Sequence, residues 1–93
     1  MYIRFHKKFK KRYIKLPSQI QEKVDCAIFK FKNNPFESSL KNHKLSGHLK
    51  GKRSFSVTGD IRIIFEEWEN YTEIIMLDLG SHNQESSPIP NDT

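Results

Sequence analysis

Two side chains with the chemistry to act on a phosphate lie in or just beyond the last predicted strands. Arg62 lies in the β-branched segment 61–65, and His82 follows the last apolar segment of the chain. A guanidinium can bind a phosphate through its planar fork of donors, and an imidazole can give or take a proton near neutral pH. The alternatives are an ion pair of Arg62 with Asp78 or Glu73, and a surface histidine without a catalytic role.

The remaining histidines and the cysteine do not form a metal or redox motif in the sequence. His43 and His48 are five residues apart, with no cysteine or carboxylate at ligand spacing, so we predict no metal site. Cys26 is the only cysteine and cannot form an internal disulfide. The glycine-rich and nucleophile motifs of nucleotide-binding proteins and common hydrolases are also missing. We therefore predict a protein without a cofactor.

Positive charge is concentrated in two stretches of the sequence. Residues 1–16 contain seven lysines and arginines, residues 41–53 contain five, and neither stretch contains an acid, in a chain with a formal net charge of +5. A basic face would attract a polyanion such as nucleic acid, because neutralising phosphates releases their counterions. The alternative is a solvated face that keeps a small protein soluble.

The hydrophobic periodicity predicts a helical hairpin and four strands. Apolar residues three and four positions apart predict helices at 6–16 and 18–32, with Pro17 between them and a capping box formed by Ser18 and Gln21. Alternating or β-branched residues predict strands at 2–5, 54–57, 61–65 and 73–79.

The order of these elements predicts an α+β domain. Short links between the three later strands favour an antiparallel meander, and the proline-marked joint favours a helical hairpin. The predicted fold is therefore β-α-α-β-β-β, with an antiparallel sheet packed against an N-terminal helical hairpin. Residues 36–52 show no sustained period and are predicted to be a loop that leucines attach to the core.

Size and composition predict one folded domain. A chain of 93 residues has room for one core, which we assign to residues 1–83, whereas residues 84–93 hold two prolines and one apolar residue and are predicted to be a flexible tail. The longest apolar run, 74–77, is far shorter than the ~20 residues that span a bilayer, and the N-terminus lacks the pattern of a secretory signal. We therefore predict a cytoplasmic protein with no membrane partner.

Six short motifs, taken in order, resemble one protein family. They are FKKRYIKLP at 9–17, NPF at 34–36, NHKLSG at 42–47, KG at 50–51, SFSVTGDIRIIF at 54–65 and LDLGSH at 77–82. Their order and spacing, over residues 1 to about 83, are similar to those of the RelE/ParE superfamily of bacterial toxins. The resemblance is nearest to the branch that contains YafQ-like and other RelE-type toxins.

The resemblance implies the toxin of a type II toxin–antitoxin system with a microbial RNase-like fold. The implied activity is that of an mRNA interferase, a metal-independent endoribonuclease that cuts messenger RNA on the ribosome by driving a ribose 2′-hydroxyl onto the adjacent phosphate. This chemistry needs a base for the hydroxyl, cations for the charge on phosphorus and an acid for the leaving oxygen. The implied partners are messenger RNA, the ribosome and a cognate antitoxin, with a heterotetramer of toxin and antitoxin as one possible assembly.

The resemblance also assigns roles to individual residues. Arg62 falls at the arginine of the family's R-[VIL]-[IV]-[YF] strand and would stabilise the phosphate, and His82 falls at the terminal G-x-[HR] position and would act as general acid or base. His43 matches an H-x-L-x-G segment and is a weaker candidate for proton transfer or phosphate binding, and Asp60, which matches an acid near a turn, is the fourth candidate for the catalytic site. Five cations are candidates for holding the RNA backbone: Lys10, Lys11, Lys50, Lys52 and Arg53.

Three departures from the family pattern keep other functions open. Ser56 stands where YafQ-like members place a second histidine, Asp78 stands where they place an arginine, and the segment 85–87 lacks the aromatic residue that commonly follows the terminal histidine. The fold alone does not choose a target. A ParE-like gyrase inhibitor and a catalytically degenerate member that binds only antitoxin or RNA are therefore the alternatives.

Overall fold

A five-stranded sheet with two helices forms the part of the chain that the computed structural model describes, residues 1–81. The predicted α+β class and the order of its main elements are confirmed. The strands are β1 (Tyr2–Phe5), β2 (His43–Lys44), β3 (Arg53–Ser56), β4 (Ile61–Trp68) and β5 (Glu73–Ser81). The helices are α1 (Lys7–Ile14) and α2 (Ser18–Asn33), and short 3-10 turns cover Ser38–Leu40 and Gly47–Leu49.

The strand order is β1-β5-β4-β3-β2. Strands β3, β4 and β5 form the predicted antiparallel meander. Strand β1, however, lies parallel to β5, with Tyr2 paired with Glu73, so the sheet is mixed rather than wholly antiparallel. The direction of β1 is a long-range property, because the alternation of its four residues is the same for either direction of pairing.

Gln21, which the sequence predicts to be part of a capping box, instead forms a hydrogen bond between the two helices. Helix α2 begins at Ser18 with Pro17 at its N-cap, and no side-chain bond caps it, so the predicted capping box does not form. The amide of Gln21 instead donates to the main-chain oxygen of Tyr13 at 2.8 Å. Neither helix within residues 1–81 is long and apolar enough to cross a membrane.

The core lies between α2 and one face of the sheet. The ring centroid of the fully buried Phe31 lies 4.5 Å from that of Phe55 in β3 and 4.9 Å from that of Phe65 in β4. Successive side chains of a strand point to opposite faces. Burying Ile63 and Phe65 beneath the helices therefore places Arg62 on the other face, as its position in the strand predicts.

The links between strands differ from the prediction in two places. Strand β2 lies inside the predicted loop 36–52 and pairs with β3, with His43 opposite Ser54. A strand of two residues has no alternation to detect. Strand β4 also continues to Trp68 instead of ending at residue 65, so the link to β5 shortens to residues 69–72, in which Glu69, Asn70 and Tyr71 all have left-handed φ angles.

Candidate functional site

The candidate site lies on the sheet face opposite the core, with Arg62 in the middle strand of the five. Arg62 is in register with Ser56 of β3 on one side and with Gly80 of β5 on the other. Both neighbours are small, so they leave space beside the half-buried guanidinium. A guanidinium in this position can donate two parallel hydrogen bonds to a phosphate.

His43 reaches Arg62 from the edge strand β2. Its Nε2 atom lies 3.4 Å from Nη1 of Arg62, and its Nδ1 atom lies 2.8 Å from the main-chain oxygen of Lys41. A carbonyl oxygen only accepts hydrogen bonds, so Nδ1 carries a proton, and in the neutral ring Nε2 then has the lone pair. His43 is exposed. The structure thus joins two of the predicted site residues and presents an imidazole in the form that can accept a proton.

Asn42 holds the start of β2 in place. Its amide nitrogen donates to the main-chain oxygen of Pro35 and to the hydroxyl of Tyr71, each at 3.1 Å, and its amide oxygen accepts from Nε of Arg53 at 2.8 Å. The residue before His43 is therefore anchored to three separate parts of the fold. The sequence showed Asn42 only as the first letter of the NHKLSG motif, and nothing local gave it this role.

Arg53 lies on the other side of the sheet from Arg62. It pairs in register with Phe65, whose side chain is in the core, and its guanidinium lies 6.0 Å from the ring centroid of Phe36, within range of a cation–π interaction. With the bond to Asn42, these contacts connect Arg53 to the loop that carries His43. The structure does not bring Arg53 together with Arg62.

Asp60 lies in the exposed turn that leads into β4, and its main-chain N–H donates to the hydroxyl of Thr58 at 3.1 Å. The following residue, Ile61, pairs with Ser81, the last described residue. Asp60 is therefore at the end of the sheet where the described chain stops. His82 is the next residue in the sequence and lies outside the described residues, as do residues 85–87.

The predicted RNA-backbone cations fall into two groups. Lys50, Lys52 and Arg53 line an open cavity of about 620 Å³ together with Lys44 and Glu67, next to the strands that carry the site. Because three of these cations are lysines on flexible stems, the cavity suits contacts to phosphates more than recognition of a fixed shape.

The other two predicted cations lie on helix α1, away from this cavity. Lys10 lines a separate apolar groove of about 410 Å³ on the helical hairpin, with Phe9, Tyr13 and Ile28 among its lining residues. Lys11 is exposed in the last turn of the same helix.

A third cluster of charge was not predicted. Asp78, which stands in β5 opposite Ile64, accepts ion pairs from Lys8 and Arg12 of α1, each at 3.3 Å. Asp78, which the sequence suggested as an ion-pair partner of Arg62, thus forms ion pairs with two cations of α1. Lys8 and Arg12 are four residues apart, the spacing that puts two side chains on one face of a helix. This spacing was the signal in the sequence that could have predicted the cluster.

The described residues 1–81 contain no group of three or more histidines, cysteines or acids placed to hold a metal ion. The site contains the imidazole of His43, whose Nε2 can accept a hydrogen bond in the neutral ring, the guanidinium of Arg62 and nearby lysines. Such a set can bind a phosphodiester and accept a proton from a group beside it.

The chain resembles several solved toxin structures over most of its length. YafQ from E. coli strain BL21(DE3) matches with a TM-score of 0.72 at 22% identity, covering 89% of this chain and 94% of that one. The YoeB/ParE toxin from Agrobacterium tumefaciens matches with a TM-score of 0.72 at 19% identity, covering 88% and 99%. The YoeB-YefM complex from Staphylococcus aureus matches with a TM-score of 0.69 at 19% identity, covering 88% and 97%. At these identities the likeness shows a shared fold.

The family comparison is more specific than the structural one. No curated protein sequence matches the chain significantly. The family model described as the bacterial toxin of a type II toxin–antitoxin system, YafQ, matches residues 1–85, slightly past the predicted domain end at residue 83. The predicted resemblance is therefore confirmed, and the chain belongs to the YafQ family of type II toxin–antitoxin toxins.

Proposed function

We propose that this toxin is a metal-independent endoribonuclease that cleaves messenger RNA on the ribosome, in the cytoplasm. The observation that carries the proposal is the pairing of His43 with Arg62, in which Nε2 is bare and faces a guanidinium 3.4 Å away. That separation is long for a hydrogen bond. A phosphate oxygen and a neighbouring ribose hydroxyl can therefore replace the contact at little cost.

The proposed reaction is an attack of the ribose 2′-hydroxyl on the adjacent phosphate. Nε2 of His43 takes the hydroxyl proton, and Arg62 binds the non-bridging oxygens as charge builds up on them. The bond from phosphorus to the 5′-oxygen then breaks, and a second group must give that oxygen a proton. The products are a 2′,3′-cyclic phosphate and a 5′-hydroxyl, so one proton is taken and one is returned.

We assign the second proton transfer to His82, which follows Ser81 in the sequence. Ser81 pairs with Ile61, and its neighbour Gly80 pairs with Arg62, so the chain is at the phosphate-binding end of the sheet where the described residues end. Ser56, opposite Arg62 in register, offers a hydroxyl that can donate to a phosphate oxygen but cannot transfer a proton as an imidazole does. The lysines at 50 and 52 are assigned to positioning the RNA, and Asp60 stays a predicted site residue without an assigned step.

The test is to map messenger RNA 5′ ends on translating ribosomes with the purified toxin. The wild type is compared with Arg62→Ala, His43→Gln and His82→Gln, and His48→Gln serves as the matched control because it changes a histidine of the same loop outside the site. We expect each site variant to lose about 10²–10⁴ in cleavage rate. The control is expected to cleave like the wild type.

Two results would contradict this proposal. Cleavage that is equal in all the variants would remove the assigned residues from the chemistry. Inhibition of gyrase supercoiling with messenger RNA left intact would favour the ParE-like alternative.

We also propose that a cognate antitoxin neutralises this toxin, in keeping with its family and with the solved YoeB-YefM complex of a structural relative. The net charge of +5 favours an acidic segment in the inhibitor, laid over α1 or the site face. Co-expression with the product of the adjacent reading frame should give a complex that co-purifies. The absence of any complex would contradict this pairing.

A further inference from the structure

A shallow cavity of about 200 Å³ lies on the site face. Ile64 lines it and follows Arg62 by two positions in β4, so the two side chains emerge on the same face about 7 Å apart. The irregularity in the pairing of β4 with β5 comes after Ile64. The strand between Arg62 and Ile64 is therefore regular, and the cavity adjoins the proposed phosphate site.

The cavity has an apolar floor and a charged rim. Leu49, Ile64 and Leu77 supply the apolar surface, and Lys8 and Lys52 are the cations beside it. Apolar surface is unexpected on a face that otherwise carries the charged site. An apolar patch between cations is the combination that binds a base by its ring face while the lysines contact the adjoining phosphates.

Acids hold the two rim lysines in place. Nζ of Lys8 lies 3.3 Å from Asp78, and Nζ of Lys52 lies 3.3 Å from Glu66. Fixed cations lose less freedom when a phosphate binds. At about 200 Å³ the cavity is below the usual ~300–1,000 Å³ range of sites for whole small-molecule ligands, so its size suits one ring system.

We propose that this cavity binds the nucleobase next to the cleaved phosphate. The proposal rests on the proposed function, since it places RNA on this face. It adds a base-binding site, and of the site residues predicted from the sequence only Lys52 lines it. Leu49 comes from the segment after β2, so the same loop that carries His43 also closes over the base. Substrate position would then be set by a base as well as by a phosphate.

Asp78 gives the cavity a preference among bases. A carboxylate has about four acceptor positions, and three are taken by Lys8, Arg12 and the main-chain N–H of Leu79. The remaining position can accept from an exocyclic amino group, which adenine, guanine and cytosine carry and uracil lacks. We expect uracil to be the least favoured base at this position.

The direct test uses methyl NMR of the wild-type toxin with a short RNA that carries one 2′-deoxynucleotide to block cleavage. Binding should shift the methyl signals of Leu49, Ile64 and Leu77, because an aromatic ring lies over them. The same RNA with an abasic nucleotide beside the blocked position should bind about 5- to 100-fold more weakly and leave these signals unshifted. Low salt is used, since it favours phosphate contacts.

A variant pair repeats the test without NMR. Leu49→Ser should bind the intact and the abasic RNA equally, as measured by fluorescence anisotropy. Phe29→Ser is the control, because Phe29 is 65% exposed on α2 and lines neither this cavity nor the one beside Lys50, and it should keep the difference. If RNA binds and is cleaved but abasic substitution changes nothing at any position, the base site is wrong and the proposed function stands. If the toxin neither binds nor cleaves RNA, both fail.

Discussion

The two faces of the sheet are built from the same strands by different means. On the covered face, Phe31 of α2 packs against Phe55 and Phe65 with fully buried rings, and burial of apolar surface supplies the stability. On the site face, hydrogen bonds and ion pairs orient side chains that remain accessible, such as His43. The difference teaches that a residue of the covered face can be replaced by another apolar residue of similar shape. A residue of the site face can be replaced only by one that keeps the same charge and hydrogen-bond geometry.

The largest expected effect belongs to the covered face. Replacing Phe31 by alanine removes a ring that contacts Phe55, Phe65 and Tyr71 and leaves a cavity, so the free energy of unfolding should fall by about 3–5 kcal/mol. Urea denaturation measures this. Phe29→Ala is the matched control, because Phe29 lies on the same helix and is 65% exposed, and it should change stability by less than about 0.5 kcal/mol. Equal losses would mean that the ring of Phe31 does not supply more stability than an exposed ring of the same helix.

The second prediction concerns Asn42, which we expect to contribute both to stability and to the position of His43. Asn42→Ala removes bonds to Pro35, Tyr71 and Arg53 and should lower the free energy of unfolding by about 1–3 kcal/mol. The variant should also lose cleavage through kcat with little change in KM, because His43 is no longer held while the lysines still bind RNA. Asn33→Ala, at the exposed end of α2, is the control. A rise in KM alone would contradict the positioning role.

A smaller effect is expected at Ser54, which lies on the site face between His43 and Ile64 in the register. Ser54 is fully buried, and its hydroxyl has no hydrogen-bond partner among residues 1–81. Removing an unsatisfied buried group relieves its desolvation cost. Ser54→Ala should therefore leave the free energy of unfolding unchanged or raise it by up to about 1 kcal/mol, measured by urea denaturation. A clear loss of stability would show that the hydroxyl has a partner in solution.

The smallest effect is a pH dependence of the helical hairpin. The hydroxyl of Tyr13 donates to Asp25 at 2.8 Å, and this bond is the main reason that the pKa of Tyr13 is raised from its ordinary value of 10.0. The bond contributes stability below the unfolded pKa of about 10, and that contribution is lost as the pH rises through the higher folded pKa. Because Tyr13 is near the surface, the effect should be small.

Urea midpoints of the wild type and Tyr13→Phe, compared at about pH 8 and about pH 11, measure this effect. The wild type should lose its advantage over the variant at the higher pH. Tyr2→Phe is the control, because Tyr2 is 64% exposed, and its difference from the wild type should not depend on pH. A wild-type advantage that persists at high pH would contradict the assigned bond.

The candidate site was predictable in part. The placement of Arg62 on the face away from the core followed from alternation in β4, and His43 was a candidate through its motif. The contact between them depends on β2, whose two residues show no pattern. Arg53 was predicted to bind RNA because of its charge. Its contacts with Phe36 and Asn42 could not be predicted, because these residues lie far from it in the sequence. Charge alone also does not indicate on which face of the sheet a side chain lies.

The sequence by itself determined the helices, the three main strands and the faces to which their side chains point, because these follow from residue periods of 3.6 and 2 that operate over a few neighbouring residues. Only the tertiary structure decided that β1 lies parallel to β5, that Asp78 binds α1 and that Asn42 anchors the loop of His43 to Tyr71, 29 positions away. Such contacts depend on how distant segments meet, and that depends on the packing of the whole core rather than on any local pattern.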